Sequence, residues 1–305
     1  MSHVPVLLNE VLEALDPHPG DFVIDGTVDG GGHAAAIYER ILPGGKFLGV
    51  DWDSAMLAKT EKKFVVQFPK LADKSIFFAE GNYADLPEIL AHKRLPKANG
   101  LLLDLGFSSE QLQDSGRGFS FSEQAKDEPL LMTYGDEREP VRDILRRLTE
   151  QELADVIFQY GGERRSRQIA KAIKLHGRKI SIGTAGELAD VIRTALPKNY
   201  EHGRIDRATR TFQALRIYAN GELENIEKVI AQLSEILVPG GRVVIISFHS
   251  LEDRIVKHAF QNLAKEKQAE LIYKKPIPAS REEIRENPRA RSAKLRAITM
   301  SNLSK

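Results

Sequence analysis

The chain of 305 residues contains no cysteine. This absence excludes a disulfide framework, a cysteine-ligated zinc or iron–sulfur centre and a thiolate nucleophile. The sequence also lacks an uninterrupted apolar run of about 18 residues, which a membrane-spanning helix would need. Its first residues, MSHVPVLLNEVLEAL, carry acids within the apolar stretch and do not follow the basic-then-apolar order of a secretory leader. We therefore expect a soluble, cytoplasmic protein.

The chain as a whole has no large excess of positive or negative charge, since its formal net charge is only +1. Residues 162–216, however, contain 13 Lys or Arg against 5 Asp or Glu, and residues 274–296 contain 8 against 3. Two basic stretches in an otherwise acidic chain indicate a polyanionic partner. The alternative is two solvated helix faces, and composition alone does not decide between them.

Short apolar runs bounded by turn residues predict buried strands. These runs lie at 22–25, 46–50, 75–79, 100–104 and 242–247, with a final strand at 295–300. Helical periodicity separates them, at 6–15, 33–42, 53–67, 84–92, 223–237 and 251–264. Between 111 and 207 the pattern is helical only. The alternation predicts an α/β protein with a mostly parallel sheet, interrupted by an all-helical insertion.

A glycine-rich loop, DGTVDGGGH (25–33), follows the first predicted strand and precedes its helix. Glycines in this position let backbone N–H groups approach a ligand at a helix N-terminus. Asp51 ends the second strand, where an acid can bind ribose hydroxyls. The pair favours a nucleoside-containing cofactor, and the alternative role for Asp51 is a helix N-cap.

The loop lacks the lysine of a phosphate-binding P-loop, and its glycines do not match the dinucleotide spacing counted from Gly26. Asp25 and Asp29 suit a cationic sulfonium better than a pyrophosphate. Electrostatics thus favours S-adenosyl-L-methionine, while a dinucleotide stays open.

Longer motifs occur along nearly the whole chain. They are HVPVLLNEVL (3–12), the glycine loop, LLLDLGFSSEQL (101–112), RGFSF (117–121), ATRTFQALRIYAN (208–220), ISFHSLEDRIVK (246–257) and NPRARSAKLR (287–296). In this order they resemble the bacterial 16S ribosomal RNA cytosine-N4-methyltransferase family. The resemblance implies a class I S-adenosylmethionine-dependent methyltransferase fold, Rossmann-like, with an inserted helical domain for substrate recognition.

The resemblance implies three segments: 1–110 and 208–305 as the two parts of the methyltransferase domain, and 111–207 as the helical insertion for RNA recognition. It implies methyl transfer from S-adenosyl-L-methionine to N4 of one cytosine in the decoding centre of 16S ribosomal RNA. The partner would be this RNA within the small ribosomal subunit, without a membrane or a metal, and a homodimer stays open. The implied cofactor residues are Gly31, Gly32, His33, Asp51, Tyr83, Asp104 and Gln111.

The cytosine N4 lone pair is delocalised into the ring, so the reaction needs orientation and a proton acceptor. Asp104, at the end of the fourth strand, is the first candidate for this catalytic role, and it could serve only the cofactor instead. Ser108 and His249 are further catalytic candidates, although a lone histidine is more often structural. Phe107 or Phe248 could stack on an extruded base or belong to the core. The candidate RNA-binding cations are Arg207, Arg210, Arg216, Arg289, Arg291 and Lys294.

The chain departs from the family pattern at Asp29, where glycine is usual, and at Leu131 and Thr133, where Asp and Arg are usual. These departures motivate one rival hypothesis, a non-catalytic ribosome-binding factor that retains the cofactor pocket. A small-molecule N-methyltransferase is the other. Methylation at C5 of cytosine commonly uses a cysteine adduct, so the absence of cysteine agrees with N4 as the target atom.

Overall fold

The computed structural model describes residues 5–69, 75–106, 116–135, 137–200 and 205–302. The chain divides into two units, which we call the sheet unit (Met1–Gly106 with Leu223–Lys305) and the helical unit (Phe107–Glu222). Helix α1 (Leu8–Leu15) opens the sheet unit, and strands alternate with helices after it. These elements are β1 (Phe22–Asp25), α2 (Gly32–Ile41), β2 (Lys46–Asp51), α3 (Ser54–Gln67), β3 (Ile76–Glu80), α4 (Leu86–Lys93) and β4 (Ala98–Asp104).

Five helices form the described part of the helical unit: α5 (Val141–Arg147), α6 (Glu150–Gly161), α7 (Ser166–Gly177), α8 (Ala185–Ala195) and α9 (Thr209–Asn220). Thr149 and Thr184 begin α6 and α8 with capping boxes, which satisfy N–H groups that the first helical turn leaves open. Helix α6 packs against α7 and α9, and α7 packs against α8. Their apolar faces enclose a core of their own that includes Leu153, Ile169 and Leu188.

The chain then returns to the sheet unit through α10 (Glu222–Ala231) and α11 (Leu233–Ile236). The remaining elements are β5 (Leu237–Ser247), α12 (Ser250–Lys265), β6 (Ala269–Leu271), β7 (Ile277–Pro278), α13 (Arg281–Glu286) and β8 (Lys294–Met300). No helix in the described ranges is both long and apolar enough to cross a bilayer.

The strands form one sheet in the order β3-β2-β1-β4-β5-β8-β6, with β7 paired to β8. Strands β1 to β5 pair in parallel, whereas β8 runs antiparallel to β5, β6 and β7. The predicted α/β class with a mostly parallel sheet is confirmed. Strand β1 is buried at all four residues, as expected for a central strand covered on both faces.

An aromatic group holds the helices beside the glycine loop against the sheet. The ring of Tyr38 on α2 meets Phe68 edge to face with a centroid separation of 4.9 Å, and Phe47 on β2 stacks with Phe64 on α3 at 5.7 Å. Tyr38 and Phe47 are fully buried. Such contacts stabilise beyond simple area burial, so the loop between β1 and α2 starts from well-packed elements.

The structure differs from the sequence predictions at three places. The helical unit extends to Glu222 instead of ending at 207, because α9 buries Phe212 and Leu215 in the core of that unit. The helix predicted over 223–237 is interrupted at Gln232 and ends at Ile236. Residues 239–241, whose proline and two glycines favour a turn, lie within β5, where Gly240 has a φ of 80° and the pairing with β4 is irregular.

Candidate active site

The candidate site lies at the carboxyl ends of the central parallel strands. Strand β1 has β2 on one side and β4 on the other, so the connections diverge at this point of the sheet. Asp25 ends β1, Asp51 ends β2 and Asp104 ends β4, which brings three acids far apart in sequence to one edge. Open α/β sheets bind ligands in the crevice at such a switch point.

Backbone hydrogen bonds join the glycine loop to the neighbouring strands. The Gly26 N–H donates to the Leu102 carbonyl at 2.9 Å, and the Val28 N–H donates to the Val50 carbonyl at 3.0 Å. Gly31, with a φ of 79°, is the N-cap of α2, and a Cβ there would lie 2.8 Å from Thr60 Cγ2. Gly31 also has no side-chain oxygen to offer the first-turn N–H groups of α2, an arrangement that suits a polar ligand group.

Asp51 is held in place by two backbone N–H groups. Its Oδ2 accepts from Asp29 at 2.8 Å and its Oδ1 accepts from Asp53 at 2.9 Å. Asp53 itself caps α3 by accepting from Ala55 and Met56. The alternative role of Asp51 as a helix N-cap is therefore excluded, because Asp53 is the N-cap of α3.

Four carboxyl groups interact in this crevice. Asp25, Asp51 and Asp104 are buried, and Asp29 is half-buried in the loop with a φ of 42°. Burial raises the pKa of Asp25 to about 7, assisted by the charges of Asp104 and Asp51. Burial also raises the pKa of Asp51 to about 6, although its bonds from backbone N–H groups oppose the change.

Burial and the charge of Asp51 together raise the pKa of Asp29 well above its usual range. Among the residues that the structure describes, no lysine or arginine forms an ion pair with Asp25, Asp29 or Asp51. Near neutral pH this cluster therefore retains protons that ordinary carboxyl groups have lost. A cationic ligand would favour the ionised form of these groups, whereas an anionic ligand would be repelled.

Asp104 contacts the loop and a buried histidine. Its backbone N–H donates to Thr27 Oγ1 at 2.7 Å, and its Oδ1 accepts from Gly106 at 3.1 Å. His33 Nε2 lies 2.8 Å from the Val6 carbonyl, so this nitrogen carries the proton, since a carbonyl only accepts. His33 Nδ1 then faces Asp104 Oδ2 across 3.7 Å. The histidine side chain thus lies beside a candidate catalytic carboxylate rather than in open solvent.

Two residues of the site were missed by sequence reasoning. Trp52, the single tryptophan, directly follows Asp51, and its ring stacks on Tyr83 with a centroid separation of 6.3 Å and an interplanar angle of 15°. Thr27 joins Asp25 to Asp104, because Asp25 Oδ1 accepts from its N–H at 3.1 Å. The available signal for Trp52 was an aromatic residue next to Asp51, the acid predicted to bind the ribose, whereas the sequence offered no signal for Thr27.

The structure places His249 at the start of α12. The His249 ring is the N-cap there, with Nδ1 accepting from the Glu252 N–H at 3.4 Å. Phe248 is half-buried against the core, and its ring lies where a Cβ on Gly106 would be. These contacts give both residues structural roles, and the catalytic role of His249 stays a prediction. Ser108 and Gln111, like Phe107 and Ser109, lie outside the described residues.

Three of the predicted RNA-binding cations belong to the helical unit, and two of them contact neighbouring groups closely. Arg207 donates to the carbonyls of Arg193 and Leu196, and Arg216 pairs with Glu222 at 2.8 Å while only 16% of its side chain is exposed. Arg210 is half-buried on α9.

The other three predicted cations belong to the sheet unit. Lys294 Nζ lies 3.0 Å from Asp253 Oδ2, a carboxylate that also binds Arg296. Arg289 is half-buried, which lowers its pKa, and Arg291 is exposed. RNA contact by any of the six stays a prediction.

Comparison with known proteins finds a family and relatives that match nearly the whole chain. The model of the MraW methylase family matches residues 1–301. Proteins named Ribosomal RNA small subunit methyltransferase H are similar: one from Thermotoga neapolitana is 44% identical, with 98% of this chain and 96% of the relative covered. Another, from Syntrophus aciditrophicus, is 41% identical, with 96% of each chain covered. Among solved structures, a putative rRNA-methylase from Clostridium thermocellum has a TM-score of 0.47 at 10% identity, with 99% of each chain covered.

Proposed function

The chain belongs to the MraW methylase family, and we propose that it methylates the exocyclic N4 of a specific cytosine in the decoding centre of 16S ribosomal RNA. S-adenosyl-L-methionine is the cofactor, and the chain is a methyltransferase. The names of its relatives support ribosomal RNA of the small subunit as the substrate. The cytosine and its N4 atom rest on the motifs quoted above and on the absence of cysteine.

The single observation that carries the proposal is the carboxylate cluster at the switch point of the sheet. Bound S-adenosylmethionine supplies a methyl group on a positively charged sulfur. Asp25, Asp29 and Asp104 fit such a cation because burial and mutual repulsion penalise their charges until a cation is present. Asp51, oriented by two backbone N–H groups, would hold the ribose, and Trp52 with Tyr83 would contact the adenine.

The methyl acceptor needs a hydrogen-bond acceptor that localises the N4 lone pair and removes a proton. Asp104 fits this role because it is fixed at the end of β4: its backbone N–H donates to Thr27 Oγ1, and its Oδ1 accepts from the Gly106 N–H. His33 Nδ1 is unprotonated in the neutral ring and faces the same carboxylate. We assign His33 Nδ1 to receiving, from Asp104, the proton that leaves N4 during methyl transfer. Ser108 and His249 stay secondary candidates for contact with the base.

The test is methyl transfer to small-subunit particles prepared from cells that lack this enzyme. Labelled S-adenosylmethionine should methylate one cytosine, and mass spectrometry of nuclease digests should place the group on N4. The variant Asp104→Asn should lower kcat, measured at saturating cofactor, by about 10²- to 10⁴-fold, the usual contribution of a positioned acid–base group. It should also weaken S-adenosylmethionine binding, because one carboxylate of the cluster loses its charge. Asp85→Asn, which removes a surface carboxylate paired with Lys228, is the matched control.

Each rival hypothesis has a distinct outcome in this assay. Cofactor binding without transfer to any cytosine would favour the non-catalytic ribosome-binding factor. Transfer to small amines, with no salt-dependent RNA binding, would favour the small-molecule methyltransferase. Methyl on C5 instead of N4 would contradict the assignment of the target atom.

A further inference from the structure

The helical unit contains a basic cavity. Its lining residues are not among the candidate site residues described above. The cavity has a volume of about 350 Å³ and lies between α5, α7 and the segment that follows α7. Four cations line it: Arg142 and Arg146 from α5, Lys174 from α7, and Arg178 just after α7. No carboxylate is among its lining residues in the part of the chain that the structure describes.

The polar groups of the cavity are held in defined positions. Lys174 Nζ donates to the carbonyls of Leu145 and Arg146, at 2.8 and 3.2 Å, where α5 ends. Arg146 Nη2 donates to Ser181 Oγ at 2.5 Å, so the Ser181 hydroxyl keeps its own proton for another acceptor. Lys174, Arg146 and Ser181 are therefore arranged before any ligand arrives.

Nearby acids only partly offset these charges. Asp143 lies 3.1 Å from Arg146 and 3.6 Å from Arg142, and Glu152 attracts Lys174 from α6. Burial and the positive charge of Arg178 nevertheless lower the pKa of Lys174. The cations repel one another at this cavity, and a bound anion would relieve that repulsion.

Part of the cavity wall is apolar. Leu145, Ile173 and Ile182 are buried residues of the helical core that also line it. A volume of this size is in the range of small-ligand pockets, which run from about 300 to 1,000 Å³. The cavity thus offers donors for an anionic group beside an apolar surface for a sugar or base.

We propose that this cavity binds one phosphodiester, together with the nucleoside attached to it, of the RNA substrate. The identity of the strand rests on the proposed function, whereas the chemistry rests on the cavity itself. Arginine forks and a hydroxyl match the several oxygens of a phosphate better than a single carboxylate does. Contact here fixes where the RNA lies and reads no sequence.

The test compares RNA binding by two matched double variants of the full chain. Arg142→Gln with Arg178→Gln removes two cations of the cavity, and Arg164→Gln with Lys171→Gln removes two exposed cations elsewhere on the helical unit. Fluorescence anisotropy with a labelled decoding-region RNA hairpin is measured over a series of KCl concentrations. Circular dichroism checks that helix content is unchanged, and Arg142→Lys with Arg178→Lys tests rescue by charge.

The cavity variant, Arg142→Gln with Arg178→Gln, should bind the hairpin about tenfold more weakly. The magnitude of its slope of log affinity against log salt concentration should be smaller by about one. The control variant should stay within about twofold of the unmodified protein, and the lysine variant should recover most of the affinity. Equal binding by the cavity and control variants would overturn the proposal.

Competitors at matched ionic strength identify the source of the phosphate. If inorganic phosphate, uridine monophosphate or an acidic peptide displaced the hairpin as well as unlabelled RNA does, the assignment to an RNA strand would be overturned. Methyl transfer is measured in parallel. If the protein transfers methyl groups but the cavity variant binds RNA as well as the control variant does, only this inference is contradicted. If the cavity variant binds RNA more weakly but the unmodified protein transfers no methyl group, only the proposed reaction is contradicted.

Discussion

Replacing Asp25 with asparagine should stabilise the sheet unit at alkaline pH in the absence of the cofactor. Asp25 is 1% exposed, and burial raises its pKa from 3.8 to about 7. At about 1.36 kcal/mol per pKa unit, holding this group ionised at pH 8 costs about 4 kcal/mol. Asparagine keeps an oxygen that can accept from Thr27 but carries no charge. Because its amide hydrogens must find new acceptors, we expect a net gain of about 2 to 4 kcal/mol.

The sign of the pH dependence follows from the direction of this pKa change. A carboxyl group whose pKa is raised by folding binds its proton more tightly in the folded protein than in the unfolded chain. Its stabilising effect is complete below about pH 4 and is lost as the pH rises through about 7. The difference between the Asp25→Asn variant and the unmodified protein should therefore be small at pH 4 and largest at pH 8.

The fluorescence of Trp52 can be used to measure the unfolding of the sheet unit alone. Trp52 is the only tryptophan, it belongs to the sheet unit and it stacks on Tyr83, so its fluorescence during urea unfolding reports on that unit. Asp21→Asn, which changes a carboxylate in an exposed turn, is the control. A stability difference for Asp25→Asn that does not change between pH 5 and pH 8 would contradict a raised pKa of Asp25 in the folded protein. The variant should also lose more affinity for S-adenosylmethionine than for the uncharged thioether product.

Three further substitutions test other parts of the molecule. Asp51→Asn should weaken cofactor binding by about tenfold or more in calorimetric titration, because one acceptor for the ribose hydroxyls becomes a donor. Asp53→Asn is the control and should leave cofactor binding unchanged, since asparagine also caps helices. Thr149→Ala should lower the unfolding free energy of the helical unit by about 1 kcal/mol, measured by circular dichroism, because the capping box of α6 is lost. Asp253→Asn should cost about 1 kcal/mol at pH 7, since its bonds from Arg296 and Lys294 lower its pKa. That stability is present above the unfolded pKa of about 4 and disappears as the pH falls below it.

Much of the sheet unit could be predicted because its central strands are buried on both faces. The predicted runs at 22–25 and 100–104 lie within the observed strands, and the prediction at 46–50 ends one residue short of β2. A continuous apolar run between turn residues is a local signal, and it suffices for a parallel strand. The antiparallel strands β6 and β7, of three and two residues, are too short to produce one.

Local patterns failed where the chain conformation depends on distant partners. Residues 239–241 contain a proline and two glycines, which favour a turn, yet they lie within β5, where the register to β4 shifts between Leu237 and Arg242. Helix α9 has an ordinary amphipathic pattern, and only its packing on α6 assigns it to the helical unit. Such assignments follow from tertiary contacts that periodicity does not encode.

The acids of the crevice and the cations on the helices also differ in how well the sequence predicts their positions. Acids of the crevice could be found from the sequence, because a parallel sheet brings every strand end to one edge, and Asp51 and Asp104 stand at such ends. Cations on helices have no comparable rule, since any of them can turn to a neighbouring carbonyl or carboxylate. Arg216 belongs to a basic stretch and still binds Glu222, whereas Arg142 lies outside both stretches and lines the basic cavity. Net charge along the sequence therefore indicates a polyanionic partner without locating it, whereas the packing of α5 against α7 forms the cavity that we propose for a phosphate.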